Sequence, residues 1–239
     1  MRFREKNMKC FLINEKLPSD LRAALSAYGE PIALPPFPAL QDPVCRHPDM
    51  LVAKIERTLL VHAAYYEGRA VLDRMGIPYE VSYAPVGALY PQDIRLNCLA
   101  ADTFFLSNEK HVSREALALA ELRGLKRIHV SQGYAKCSCA CAQNAIATMD
   151  RGIAKAVRRA GEEALLLEPS AIGIEIYDTG FIGGASVLLD ERTLGFFGNV
   201  EGFERYPELK GFFEARDVRL VSLGKEPLFD YGGAVSVEI

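Results

Sequence analysis

Hydrophobic and polar positions follow a pattern that repeats five times along the chain. Each copy consists of an apolar strand, a polar or small-residue segment, an amphipathic helix and a short apolar strand. The copies begin at CFLIN, TLLVH, TFFLSN, AIATMD and TLGFFGN. Matching positions in these strands are 48, 45, 41 and 50 residues apart, at Ile13, Val61, Leu106, Ala147 and Phe197. A period of about 46 residues is typical of propellers and solenoids, so the pattern predicts a repeat architecture.

A further apolar strand precedes each of copies two to five and joins the next strand through a short polar turn. These strands are MLVAKI, NCLAAD, CSCACAQ and GASVLLD. The first copy has no such strand, whereas AVSVEI, residues 234–239, is left over at the other end. Pairing of residues 234–239 with residues 9–14 would complete the first unit and remove exposed sheet edges. We therefore predict an α/β fold of five ββαβ units, a five-bladed α/β-propeller with pseudo-fivefold symmetry closed by the C-terminal strand.

The alternative is an ordinary open α/β sheet whose periodicity is accidental. A doubly wound sheet alternates single strands with helices, so the hairpin in every unit favours the ring. No linker, low-complexity tract or charge block divides the chain. Residues 1–239 are therefore expected to form a single propeller domain.

Composition and charge narrow the classes of partner. Hydrophobic residues make up 49% and charged residues 25%, with 28 basic against 31 acidic side chains. The sequence shows no basic stripe, so we expect no nucleic-acid partner. No apolar run reaches about 18 residues, so we expect no membrane partner. The oligomeric state cannot be predicted from these features.

The N-terminal segment and the cysteines predict a cytoplasmic location. The segment MRFREKNMKCFLIN has no apolar core of signal-peptide length. The six cysteines are expected to be free thiols, because a chain of this size needs no disulfides to fold.

Five short segments resemble those of a known superfamily: HPDM, YPQDI, QGYAKCS, GFIGG and FDYGG. Together with the predicted ring, they look like an uncharacterised branch of the pentein, or amidinotransferase-like, propellers. That superfamily includes arginine deiminase, agmatine deiminase, dimethylarginine dimethylaminohydrolase and glycine amidinotransferase. The resemblance implies a site at the centre of the ring where carboxylates hold a guanidinium, a His handles protons and a C-terminal Cys attacks the guanidino carbon.

The resemblance assigns roles to particular residues. Asp49, in HPDM, resembles the acid that holds the substrate, and Asp93, in YPQDI, takes the equivalent place in the third unit. Tyr134, in QGYAKCS, stands where the family has its catalytic His. The final strand, residues 229–239, contains Ser236 but no Cys. These two departures argue against deiminase activity.

Symmetry places further residues at the same mouth of the ring. Asp230, like Asp49 and Asp93, precedes the first strand of a unit, and a ring of carboxylates favours a cationic ligand. The alternative for such aspartates is a structural Asx turn. The predicted ligand-binding residues are Asp49, Asp93, Tyr134, Lys136, Asp230, Gly232 and Gly233.

Cys137 and His47 are the catalytic candidates if covalent chemistry is retained. The ammonium of Lys136 would lower the pKa of the Cys137 thiol, and His47 would act as a relocated acid–base group. The structural alternatives are a buried thiol and a turn residue. Cysteines 137, 139 and 141 alternate along one predicted strand and span about 13 Å, too far for one tetrahedral zinc site. We therefore expect no metal and no other cofactor.

Two functions follow from these residues, and whether the protein is an enzyme stays open. In the first, it binds a small cationic ligand at the axial mouth and has no deiminase activity. In the second, it is a hydrolase or transferase acting on a C–N bond of a guanidino-type small molecule. The distinguishing feature is a thiol in the mouth with a base beside it.

Overall fold

The computed structural model describes residues 8–239. Residues 1–7, on which part of the targeting prediction rests, lie outside this range. The described residues form five three-stranded sheets. In each sheet a central strand pairs parallel with one neighbour and antiparallel with the other.

The three strand types recur once in each sheet. The central strands are β1 (Lys9–Asn14), β4 (Thr58–His62), β7 (Phe104–Ser107), β10 (Ala145–Thr148) and β13 (Thr193–Phe196). The parallel strands are β2 (Glu30–Leu34), β5 (Glu80–Ser82), β8 (Lys126–His129), β11 (Glu163–Leu166) and β14 (Arg219–Ser222). The antiparallel strands are β3 (Val52–Ile55), β6 (Leu99–Ala100), β9 (Cys139–Ala142), β12 (Ser186–Asp190) and β15 (Val235–Glu238).

A helix connects the central strand of each unit to its parallel strand. These helices are α1 (Ser19–Ser26), α3 (Tyr66–Met75), α4 (Arg114–Leu122), α5 (Arg151–Arg159) and α6 (Tyr206–Glu214). One further α-helix, α2 (Pro48–Leu51), immediately precedes β3, and a short 3-10 helix (Val44–Arg46) precedes α2. Local sequence fixes several ends: the Asp150 side chain accepts a hydrogen bond from the Ile153 N–H at 2.8 Å, and Gly76 ends α3 with φ +69°. Among residues 8–239, every helix is too short or too polar to cross a bilayer.

The C-terminal strand completes the first sheet. Strand β15 pairs antiparallel with β1, with Cys10 opposite Val237 and Leu12 opposite Val235. This confirms the predicted pairing of residues 234–239 beside residues 9–14. The other antiparallel strands enter their sheets through tight hairpins, and Glu56 and Gln143 occupy left-handed conformations at two of the tips.

The core consists of five hydrophobic clusters, each formed mainly by two neighbouring units; the cluster of the first two units also includes Ile94 and Cys137. They join units one and two, two and three, three and four, four and five, and five and one. Successive residues of a central strand point to opposite faces. In β1, Cys10 and Leu12 therefore pack against the second unit, while Phe11 and Ile13 pack against the fifth. Burial on both faces explains why the central strands are almost entirely apolar.

Candidate functional site

A cavity of about 240 Å³ lies along the antiparallel strands of all five sheets. Its wall includes Val52–Lys54, Leu99–Ala101, Cys141, Ser186–Leu188 and Val235–Ser236. Asp49 and Lys136 line it where β3 and β9 begin, and Glu56 and Gln143 line it at the hairpin tips where these strands end. The cavity therefore spans the length of the strands.

Asp49 is a buried carboxyl group on the cavity wall. It lies in α2, and its backbone N–H donates to the Gly232 carbonyl at 3.2 Å. Its side-chain oxygens are both buried, and among residues 8–239 neither has an N–H or O–H partner; the Cys137 thiol beside them is a weak donor. Burial raises the pKa of Asp49 to about 7; the charge of Asp230 adds to this shift, and that of Lys136 opposes it. Asp49 thus presents two buried acceptors at one end of the cavity, with a thiol as their one weak donor.

The Asn97 side chain forms hydrogen bonds both to Asp49 and to the segment that precedes β9. Its side-chain Nδ2 donates to the Asp49 carbonyl at 3.1 Å and to Cys137 Sγ at 2.8 Å. Its Oδ1 accepts from the Lys136 N–H at 2.8 Å. Sequence analysis missed this residue. The available signal was one amide side chain directly before the four apolar or small residues CLAA of the segment NCLAAD.

Cys137 lies in a turn before β9 and not on the strand that carries Cys139 and Cys141. The predicted alternation of three cysteines along one strand is therefore wrong. The pKa of the Cys137 thiol is also raised well above its ordinary value, because the group is buried and faces the charges of Asp49 and Asp230. This direction is opposite to the one expected from Lys136. The protonated thiol is a poor nucleophile at neutral pH.

Asp230 and His47 form a buried pair of titratable side chains. The Asp230 carboxylate accepts from the Phe181 and Gly232 N–H groups, both at 2.8 Å. Burial raises its pKa to about 6. His47 Nδ1 lies 3.7 Å from Asp230 Oδ1, and burial lowers the pKa of His47 to about 4. The imidazole is therefore neutral at pH 7. Neither Asp230 nor His47 lines the cavity that runs along the antiparallel strands.

The glycines before β15 shape the backbone around this pair. Gly232 and Gly233 have φ of +78° and +65°, the left-handed region that favours glycine. A Cβ at Gly232 would overlap His47. The Gly232 N–H bond to Asp230 is the Asx turn considered as the structural alternative. Neither glycine lines the cavity.

Asp93 and Tyr134 contact each other rather than the cavity. The Tyr134 hydroxyl donates to Asp93 Oδ2 at 2.6 Å, and its ring stacks on Phe181 with centroids 6.0 Å apart. Burial and the Asp93 carboxylate raise the pKa of Tyr134. The phenol therefore stays protonated at neutral pH and has no capacity as a base.

The structure separates the predicted residues into two sets. Asp49 and Lys136 line the central cavity. The others lie around it: Asp93, Tyr134, Cys137, His47, Asp230, Gly232 and Gly233. Lys54 and Ser236, which were not predicted ligand contacts, also line the cavity. Within residues 8–239, no group of three His, Cys, Asp or Glu side chains is arranged to hold a metal ion.

Comparisons with known proteins define the fold. The model of the "Family of unknown function (DUF6873)" matches residues 12–235. No curated protein matches the sequence of this chain. A cysteine-to-serine mutant of DDAH from Pseudomonas aeruginosa, complexed with citrulline, is similar in structure at 12% identity and a TM-score of 0.55, covering 98% of this chain and 100% of that one.

Two further structures are similar. One is a dimethylarginine dimethylaminohydrolase variant as an adduct with S-methyl-L-thiocitrulline, at 12% identity and a TM-score of 0.55, covering 97% of this chain and 100% of that one. The other is Campylobacter (C.) jejuni agmatine deiminase, at 9% identity and a TM-score of 0.51, covering 91% and 88%. The predicted resemblance to penteins is confirmed at the level of fold.

Proposed function

The chain belongs to this family of unknown function, and we propose that it binds a small organic cation of the guanidinium or amidinium class at Asp49. The ligand occupies the central cavity, with its N–H groups donating to the two Asp49 oxygens. The protein does this without deiminase activity.

The observation that carries the proposal is the Asp49 carboxyl group itself. Within the described residues, both of its oxygens are buried and lack an N–H or O–H donor, the Cys137 thiol being a weak one, and Asp49 lines the cavity. A buried polar group without a partner is costly, and an unpaired buried charge more so. A planar cation with paired N–H donors would satisfy both oxygens. The similarity to structures of guanidino-modifying enzymes supports a ligand of this kind.

The chemistry of the surrounding groups supports binding without turnover. The C-terminal strand contains no Cys. Burial and the neighbouring carboxylates raise the pKa of the Cys137 thiol. Tyr134 occupies the position where the resemblance implies a His, and its hydroxyl donates a hydrogen bond to Asp93. A thiolate and a base are both needed for covalent attack on a guanidino carbon.

Ligand binding is tested by thermal shift and calorimetry with arginine, agmatine and methylated arginines. We expect at least one guanidino compound to raise the melting temperature. Asp49→Asn should weaken its binding about 10- to 100-fold, the loss expected for a charge-assisted hydrogen bond. The matched control is Asp102→Asn, the same change at an exposed hairpin tip of the same cavity. Unchanged affinity in Asp49→Asn would contradict the proposal.

Hydrolysis or transfer at a C–N bond is the second candidate function, and one contact favours it. The Asn97 Nδ2–H donates to Cys137 Sγ at 2.8 Å, which would stabilise a thiolate formed during reaction. Formation of a ureido product that is lost in Cys137→Ala would establish this function; the product is citrulline from arginine or methylated arginines and N-carbamoylputrescine from agmatine. The first proposal instead expects no ureido product from either protein.

We also infer that the five units close into a five-bladed propeller with pseudo-fivefold symmetry and that the described residues of the predicted domain, 8–239, form a single domain. Three features support closure: the pairing of β15 with β1, the core cluster shared by the fifth and first units, and a cavity lined by all five antiparallel strands. A cytoplasmic location is supported by the six free cysteines.

A further inference from the structure

Lys54 is a largely buried ammonium group on the cavity wall. It projects from β3, and its Nζ donates to the Ser236 hydroxyl of β15 at 3.3 Å. Both residues line the same cavity as Asp49. Among residues 8–239, no carboxylate lies within 4.0 Å of the Lys54 Nζ. Within the described residues, the cavity therefore contains a partly buried ammonium group with no carboxylate in direct contact with it.

The surrounding charges do not neutralise Lys54. The charged groups that act on it are Lys9 and Glu238, which have opposite signs. Glu56, at the tip of the same hairpin, is 3.5 Å from Arg123 and is paired there. Burying an unpaired charge costs free energy unless a counter-ion accompanies it. An anion bound in the cavity would supply that counter-ion.

Lys136 is the other ammonium group that lines the cavity, but its surroundings differ. Its charge acts on both Asp49 and Asp230. The two buried carboxyl groups therefore balance it. Lys54 has no comparable pair, and the Ser236 hydroxyl beside it is a further hydrogen-bond donor.

We propose that Lys54 and Ser236 form a subsite for the carboxylate of an elongated ligand whose cationic end is held by Asp49. This inference rests on the proposed function. Asp49 lies in α2, before β3 begins at Val52. Lys54 lies two residues further along β3, about 7 Å beyond Val52. The two subsites therefore lie at different depths of one cavity. The ligand class is a linear ω-guanidino acid, with opposite charges at its two ends.

The experiment compares two ligands that share a cationic end and a chain. Guanidinobutyrate carries the carboxylate, and butylguanidine lacks it. In isothermal calorimetry, the wild-type protein should bind guanidinobutyrate at least about tenfold more tightly, the gain expected for one charge-assisted hydrogen bond. Lys54→Met should abolish this preference without weakening the binding of butylguanidine, because the variant also removes an ammonium that repels the cationic ligand. Lys54→Arg should retain most of it, and Ser236→Ala should reduce it.

The outcomes separate the two proposals. Asp49→Asn should weaken both ligands. Suppose that both ligands bind and that their binding depends on Asp49. The carboxylate subsite is then wrong, and the cation site stands, if the wild-type protein shows no preference for guanidinobutyrate. The same conclusion holds if Lys54→Met and Ser236→Ala both retain that preference. If neither ligand binds wild type, the proposed function fails and the subsite fails with it. Should Lys54→Met not fold, Ser236→Ala and Lys54→Arg make the same distinction.

Discussion

Asp49→Asn should remove a pH dependence from the stability of the protein. The folded pKa of Asp49 is about 7, against an ordinary value of 3.8, because the carboxyl group is buried. Between these two values the folded state keeps the proton while the unfolded state has lost it. The free energy of unfolding therefore falls as the pH rises from about 4 to about 7 and is level above that range.

The size of the effect follows from the same values. At 1.36 kcal/mol per pKa unit, the whole difference amounts to about 4 kcal/mol. An experiment from about pH 5 to about pH 8 crosses roughly two of these units, or about 3 kcal/mol. Asn has nearly the same shape and no charge. Over this interval the variant should therefore lose about 3 kcal/mol less stability than the wild-type protein.

The assay is urea unfolding of both proteins, without ligand, near pH 5 and near pH 8. The difference between the proteins at each pH removes the contributions of titrating groups that do not interact with Asp49. The charges of Asp230 and Asp49 interact, so the difference also includes the change in the titration of Asp230. Asp102→Asn, at an exposed tip, should follow the wild-type profile. Parallel profiles for Asp49→Asn and wild type would refute the assignment of a strongly raised pKa to Asp49.

Three further predictions concern closure, backbone and reactivity. Deletion of residues 234–239 removes β15 from β1 and should cause unfolding or aggregation, measured by melting and light scattering; a soluble variant with a normal melting temperature would contradict closure. Gly232→Ala should destabilise by at least about 1 kcal/mol, because φ is +78° and a Cβ would overlap His47. Gly211→Ala, at an open position inside α6, should instead be neutral or stabilising by up to about 1 kcal/mol. Burial raises the pKa of both Cys137 and Cys141, but Cys141 is the more exposed, so iodoacetamide should label it first in the native protein; preferential labelling of Cys137 would contradict its burial.

The sequence contains enough information to predict the strands and their pairing. Segments such as CFLIN and TLLVH are apolar on both faces because each central strand packs between two units. The unpaired AVSVEI segment and the missing strand of the first unit together predicted the β1–β15 pairing, which the structure confirms. These features are local or follow from the repeat, so one sequence suffices to detect them.

The site was predicted less well because its geometry depends on contacts between distant segments. The Asn97 Oδ1 accepts a hydrogen bond from the Lys136 N–H, in a turn that includes Cys137. The alternating cysteines had predicted a strand there. Lys54 meets Ser236 across 182 residues of sequence. The pKa of Cys137 depends on burial, which adjacency to Lys136 in the sequence does not reveal.

The shared core clusters have a consequence for how the repeats behave as folding units. Each cluster takes side chains from two neighbouring units, so no unit encloses a core of its own. Opening one unit would expose apolar surface on both of its neighbours at once. Amide hydrogen exchange should therefore show the central strands of all five units opening together, in one global step, and not as five separate foldons. The sequence repeats once per unit, whereas we expect the five units to unfold together as one cooperative structure.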